Sequence, residues 1–377
     1  MDPREQWLEP ELEALRQAQR FRRAVTPPAG LLNFSSNDYL DLAHHPDVVA
    51  AAERALRAAG AGATASRLVS GTLPLHEELE ARLARLKGYP AALLFGSGYL
   101  ANLGILGALL GRGDAVFADR LAHASLMDAA VLCRAELQRF RHNDAQHLDE
   151  LLQKYTGTGR KLVVTESVFS MDGDVAPLPD IAAVAQKHGA LLLVDEAHAT
   201  GVFGPGGSGL IREHKLEAAV NFSMGTLSKA LGGYGGFVAC SVAMRALLVN
   251  RARAFIYTTA PPPAVTGAAL GALDVLGKNP GWGAELLRRA AAFRAQLRSA
   301  GFDVMQSASQ IIPIQVGENA RALALAEKLR AAGLLAIAIR PPTVPEGTAR
   351  LRLSITRAHS ASDLARAAEI ICSVCAG

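Results

Sequence analysis

The sequence predicts an α/β protein: a doubly wound, mostly parallel sheet in a large domain, followed by a smaller α+β domain. Three observations predict it. Short apolar runs alternate with helix-length segments between residues 91 and 240. The run Ala190-Leu191-Leu192-Leu193-Val194 shows no polar alternation, as a strand covered on both faces requires. The chain's 377 residues exceed what one simple core organises.

The elements follow in order. Residues 5–23 read as a helix, broken by Pro27-Pro28-Ala29-Gly30. A short strand at 31–34 leads into a polar loop at 35–40. Pro46 opens a helix that runs to 59, with Gly60 past its end. A loop of small residues spans 60–71, and an amphipathic helix spans 75–87. Strand 91–95, turn 96–99 and helix 100–110 come next. Strand 115–118 ends at Asp119, and a helix follows His123. Then come strand 136–140, helix 146–155, strand 161–165, loop 166–177, helix 179–188, strand 190–194, and strands 220–223 and 236–240. Helices 243–254, 264–276 and 282–299 lead to a last unit with strands 311–316, 335–339 and 350–355 and helices 320–332 and 362–375. This order divides the chain into an N-terminal arm (1–45) that packs with the small domain, a large domain (46–265) and the small domain (266–377).

Composition narrows the class. Half the residues are hydrophobic and the formal charge is only +4, so the concentrated basic field of a nucleic-acid binder is missing. The basic run 16–23 reads as a solvated helix face. No apolar window is long enough to span a membrane, and no secretory signal opens the chain. A reduced, cytoplasmic protein is expected. Cys372 and Cys375 form a lone C-x-x-C, which lacks the second pair of a zinc site and reads as helix packing.

Ligands of open parallel sheets bind beyond the carboxyl ends of the strands. Gly98, Asp119, Ser170, Asp195 and Lys229 all follow predicted strands, so they converge on one edge. Lys229 sits among small residues, with Ser223, Thr226 and Ser228 before it and Gly232-Gly233 after it. Such a setting suits a partly desolvated, nucleophilic amine; a surface lysine at a helix start is the ordinary alternative. Asp195 ends an apolar strand, where a carboxylate needs a cationic or strong donor partner. His198 follows three residues later.

Pyridoxal phosphate meets all three needs. Its aldehyde bonds the lysine, the aspartate keeps its ring nitrogen protonated, and the histidine bonds its ring hydroxyl. The turn Gly96-Ser97-Gly98-Tyr99 before a helix offers N–H groups to a phosphate, Thr226 adds a hydroxyl, and His123 can stack on the ring. Singly, each has a plain reading: a strand-to-helix turn, a core histidine, and a turn residue for Ser170. A nucleotide-binding oxidoreductase would need a third glycine that Gly96-Ser97-Gly98 lacks at the required spacing. A non-catalytic subunit of the same fold would be expected to lack the lysine.

Six stretches carry a family resemblance: Asn33-Phe34-Ser35-Ser36-Asn37-Asp38-Tyr39-Leu40, Ser66-Arg67-Leu68-Val69-Ser70-Gly71, Asp119-Arg120-Leu121-Ala122-His123-Ala124-Ser125, Thr165-Glu166-Ser167-Val168-Phe169-Ser170-Met171-Asp172-Gly173-Asp174, Asp195-Glu196-Ala197-His198-Ala199-Thr200-Gly201, and the lysine stretch. The chain resembles the α-oxoamine synthases. These are fold type I pyridoxal-phosphate transferases that join an amino acid to an acyl thioester with loss of carbon dioxide. The resemblance implies Lys229 as the Schiff-base lysine and catalytic base, Asp195 as the ring-nitrogen partner, His198 at the ring hydroxyl, and His123 as stacking and catalytic residue. It implies cofactor contacts at Gly98, Tyr99, Ser170 and Thr226. Thr258 or Thr259 would reach the phosphate of a neighbouring subunit, because the family's site is shared across a homodimer. Arg352 would clamp the amino-acid carboxylate, and Arg22, Asn37, His123 and Thr343 would touch substrate. No metal is implied.

The stretches Ile256-Tyr257-Thr258-Thr259-Ala260-Pro261-Pro262 and Pro341-Pro342-Thr343-Val344-Pro345 resemble the members that condense L-alanine with a pimeloyl thioester, carried by coenzyme A or by an acyl carrier protein. Sister members that use glycine with acetyl-CoA are the alternative. The sequence departs from the family pattern in a short segment at 25–32, at Asp41 in place of a common glycine, and at Ala63-Thr64-Ala65 in place of a glycine-richer loop.

Overall fold

The computed structural model describes residues 2–375. Its strands are β1 Leu32–Asn33, β2 Ala91–Phe95, β3 Ala115–Asp119, β4 Glu136–Phe140, β5 Lys161–Glu166, β6 Leu191–Asp195, β7 Phe222–Thr226, β8 Gly236–Cys240, β9 Ile311–Gly317, β10 Leu334–Leu335, β11 Ile337–Ile339 and β12 Ala349–Ser354. Seven of them form the main sheet in the order β2-β8-β7-β6-β5-β3-β4. Pairing is parallel from β7 through β4, while β8 runs antiparallel to both its neighbours. The expected doubly wound, mostly parallel sheet is borne out.

The period-2 geometry of a strand sends alternate side chains to opposite faces. Leu93, Val116, Val164, Leu193 and Val238 pack on one face with Ile105, Leu126 and Phe255. Leu94, Phe117, Val163, Leu192 and Phe237 pack on the other with Leu83, Leu152 and Ile181. Each fully buried Leu, Val or Phe contributes about 1.5–3 kcal/mol. Both faces are therefore needed, which is why these strands read as unbroken apolar runs. A second sheet, β11-β12-β9, is antiparallel, and β1 pairs with β10 in parallel.

Several boundaries differ from expectation. The helix expected over 5–23 is Leu8–Gln17; Gln19 takes a left-handed φ of 54°, and the chain leaves the helix there. The strand expected at 220–223 is Phe222–Thr226, because pairing with β8 carries Gly225 and Thr226 into the sheet. The strand expected at 335–339 is two strands in two sheets, β10 with β1 and β11 with β12. The helix expected at 243–254 is Val242–Arg251 and Arg253–Ile256, broken at Ala252.

Two departures from the family pattern fall on unusual backbone. Asp41 has φ 56° and Thr64 φ 61°, in the region that favours glycine. Both cysteines of the C-x-x-C lie on helix Ala361–Cys375, with Cys375 buried. Among the described residues, no helix is long and apolar enough to cross a membrane, and no group of His, Cys, Asp and Glu is arranged to hold a metal ion.

Candidate active site

The carboxyl ends of β5, β6 and β7 meet the second sheet at a cavity of about 280 Å3, lined by Asn37, His123, Ser170, His198, Lys229 and Arg352 among others. These six were all expected from the sequence. A wider cleft of about 760 Å3 shares His123 and Ser170 with it and extends to Thr343.

Lys229 stands just beyond β7 in a tight turn, where Gly232 N donates to Lys229 O at 2.8 Å. Its Nζ lies 2.7 Å from His198 Nε2. The side chain reaches into the cleft, but its amine is enclosed enough for burial to pull its pKa down to about 8, against the pull of Asp195 and Glu166. His198 Nδ1 lies 2.6 Å from the Tyr39 hydroxyl. Burial first, and the charge of Lys229 second, hold the His198 pKa well below its ordinary value. Lys229 thus faces a neutral histidine rather than a carboxylate.

Asp195 ends β6 and is 4% exposed. Its Oδ2 accepts from Asn102 Nδ2 at 3.0 Å and its Oδ1 from Ala197 N at 2.9 Å. Among the described residues no cation pairs with it. Asn102 also donates to Ser125 Oγ at 2.8 Å, and its own Oδ1 has no partner among them. Beside Asp195 in register stands Glu166, whose pKa is pushed well above the carboxyl range by burial first and by Asp195 second.

Arg352 enters from β12 and is 7% exposed. Nε donates to Ser170 O at 2.6 Å, one Nη to Ser354 Oγ at 3.0 Å, and the other to Asn37 Oδ1 at 3.1 Å. All three acceptors are neutral. Among the described residues no carboxylate pairs with this buried guanidinium, although burying a charge without an opposite one is costly. A bidentate fork of this kind matches an incoming carboxylate.

His123 caps helix Ala124–Cys133 and faces the cleft; its Nδ1 lies 2.8 Å from Ser125 Oγ and accepts from Ser125 N, which fixes the ring. Gly98 opens helix Gly98–Leu109, and a Cβ there would lie 3.7 Å from Thr226 Cβ. The helix's first N–H groups and the end of β7 therefore sit together, as an anion cradle requires. Tyr99 is exposed and donates to Asp128. Thr226 Oγ1 donates to Gly235 O at 2.8 Å and lies 2.8 Å from Ser228 Oγ.

Thr258 and Thr259 lie apart from this cavity: Thr258 donates to Ala254 O at 2.7 Å, and Thr259 bridges to Ser66. Arg22 reaches Thr343 Oγ1 at 3.3 Å, at the wider cleft rather than beside the lysine. Asp119, also expected at this edge, is taken by His142 at 2.9 Å.

Tyr39, Asn102 and Glu166 were not singled out from the sequence. Asn102 carried a signal, as a lone amide in a nearly apolar helix. Glu166 ends an apolar strand just as Asp195 does. Tyr39 lies inside a quoted stretch but shows its contact only in three dimensions.

The model of the class I and II aminotransferases matches residues 29–371. The chain belongs to that family. Within it, the chain is 50% identical over 347 residues to an 8-amino-7-oxononanoate synthase of Geobacter sulfurreducens, spanning 92% of this chain and 89% of the relative. A relative of the same name from Anaeromyxobacter dehalogenans is 50% identical, with 95% and 92% covered. A serine palmitoyltransferase structure from Sphingomonas wittichii superposes with a TM-score of 0.91 at 34% identity, covering 99% and 97%. An 8-amino-7-oxononanoate synthase from Francisella tularensis superposes with a TM-score of 0.78 at 29% identity, covering 92% and 98%.

The residues of this class I and II aminotransferase family member fit pyridoxal phosphate. Among the described residues, Lys229 lacks a carboxylate partner, Asp195 lacks a cation, and the Asn102 Oδ1 beside it is unpartnered.

Proposed function

We propose that this protein condenses L-alanine with a pimeloyl thioester, releasing carbon dioxide and a free thiol, to give 8-amino-7-oxononanoate for biotin synthesis. One observation carries the reading: a buried arginine with only neutral partners, Arg352, opens on the same cavity as an amine lowered to about 8, Lys229. That is a carboxylate receptor beside a base, which an α-amino acid substrate needs. The names of relatives at 50% identity support the product, and the resemblance of 256–262 and 341–345 supports the two substrates.

Pyridoxal phosphate, when bound, supplies an electron sink for negative charge on the amino acid's α-carbon. Asp195 would hold its ring nitrogen, His198 its ring hydroxyl and His123 its ring face. The first turn at Gly98 and Tyr99, with Thr226 and Ser170, would complete the contacts. The remaining steps belong to the chain's own groups. Arg352 binds the alanine carboxylate. The free Lys229 amine takes the α-proton. His123 donates to the acyl carbonyl oxygen as the new carbon–carbon bond forms and the thiolate leaves. The carboxylate then departs as carbon dioxide, and Lys229 returns a proton to the α-carbon. Asn37, Arg22 and Thr343 would supply further substrate contacts, Asn37 beside Arg352 and Thr343 in the wider cleft. Two copies share their sites, with Thr258 or Thr259 reaching the partner's cofactor phosphate, in a reduced cytoplasmic setting.

The test is an assay of holoprotein with L-alanine and pimeloyl-CoA or pimeloyl-acyl carrier protein, read by mass spectrometry, beside glycine with acetyl-CoA. Formation of 8-amino-7-oxononanoate is expected. Turnover with glycine and acetyl-CoA alone would replace this reading with the sister activity.

A further inference from the structure

His142 lies outside both cavities, yet it joins their two walls. It follows β4, and its ring is held edge-on against Phe169, with centroids 4.4 Å apart. Nδ1 lies 2.9 Å from Asp119 Oδ1, and Nε2 lies 2.8 Å from Asp174 Oδ2. Both partners are acceptor-only carboxylates, so both ring nitrogens must donate, which only the imidazolium can do. Its neighbour Asn143 doubles each link: Asn143 N donates to Asp119 Oδ2 at 2.8 Å and Nδ2 to Asp174 Oδ2 at 2.7 Å.

Each carboxylate leads to the site by a short path. Asp119 ends β3 and accepts from Leu121 N at 2.8 Å, shaping the turn that delivers His123. Asp174 closes a small hairpin over 167–175, in which Phe169 N donates to Asp174 O at 3.0 Å and Val168 bridges to Val175. The tip of that hairpin is Ser170, whose carbonyl accepts from Arg352, and Asp172, which pairs with Arg350.

We propose that His142 is a positioning residue: it ties the turn presenting His123 to the hairpin presenting Ser170, and through Ser170 it keeps Arg352 aimed at the amino-acid carboxylate. This rests on reading Arg352 as the carboxylate site. The groups facing the ring are Asp119 from β3, Asp174 and Phe169 from the hairpin, and Asn143 beside it. Burial works against its charge, but the two aspartates outweigh burial and raise its pKa to about 9. The sign follows from a folded value above the ordinary 6.5: the His142 half of the tie is complete below about 6.5 and is lost as pH rises through about 9, leaving the two Asn143 bonds.

The test uses holoenzyme. Histidine labelled with 13C and 15N should show one imidazole titrating near 9, absent from His142→Gln; an ordinary titration for that ring overturns the proposal. His142→Gln should raise KM for L-alanine by roughly 10- to 100-fold while kcat changes much less. Asp174→Asn, which disturbs the His142 and Asn143 links together, should do at least as much, and the double variant should be no worse than Asp174→Asn alone. Arg352→Gln is the control for the underlying reading. If Arg352→Gln raises KM for alanine and folded His142→Gln and Asp174→Asn do not, the positioning role falls and the carboxylate reading stands. If Arg352→Gln leaves KM unchanged, the carboxylate reading falls first, and this proposal with it.

Discussion

Two enclosed lysines in this fold do opposite things. Lys87 closes helix Pro74–Lys87 and is 1% exposed. It pairs with Glu196 and donates to Thr200 Oγ1 at 3.2 Å, and Glu196 is itself held by Ser223 Oγ and Ile211 N at 3.0 Å each. Each charge there has an opposite, and both oxygens of Glu196 have a donor. Lys229 has a neutral histidine instead. Burial alone therefore does not make a lysine reactive. The partner decides, by giving the protonated form a counter-charge or withholding one. Adjacent residues supply the contrast: Glu196 serves the structural lysine, while Asp195 is left without a cation.

The comparison can be broken in order of effect. Lys229→Ala should abolish turnover and remove the visible absorbance of the bound cofactor, with circular dichroism unchanged. Full activity in that variant would end the assignment of Lys229. Lys87→Met should leave Glu196 buried without a counter-charge and cost about 3–5 kcal/mol of stability by denaturant unfolding. Adding Glu196→Gln should recover part of that loss. If Lys87→Met is neutral, the pair is not the structural counterpart drawn here. Tyr39→Phe removes the hydroxyl 2.6 Å from His198 and should lower kcat by about tenfold. In cofactor-free protein, capture of pyridoxal phosphate by Lys229 should rise with pH and level off above about 8, because the neutral amine is the nucleophile. A midpoint near 10.5, the ordinary lysine value, would show that burial does not set this amine.

How much of this was legible in the sequence depended on how local the cause is. The apolar run ending at Asp195 shows that its strand is covered on both faces, and a carboxylate at its end is conspicuous. Lys229 was legible for the same reason, as a charge among small residues. The strand before Lys229 was expected to stop at 223 because Gly225 is a weak strand former; the place of Gly225 and Thr226 in β7 is set by pairing with β8. The antiparallel direction of β8 left no mark, since periodicity is the same either way. Arg352 could be assigned by resemblance, but the neutrality of its partners depends on Asn37, Ser170 and Ser354 meeting from distant parts of the chain. The helix expected to reach 23 was overrun because its polar face does not record where Gln19 leaves it.

The position of β8 also sets an order of assembly. β2 is an edge strand with one sheet neighbour, β8, in register from Ala91 against Cys240 to Phe95 against Gly236. As the chain leaves the ribosome, β2 emerges first but has nothing to pair with until β8 arrives, after every parallel strand between them. Such non-local closure is slow and entropically costly. The turn that ends β2 is the one leading to Gly98, and it closes against Gly236, where even a Cβ would strike Ser97 at 2.4 Å. The anion cradle is thus completed by the last strand to join the sheet, so cofactor capture reports on the finished sheet rather than on a partial one.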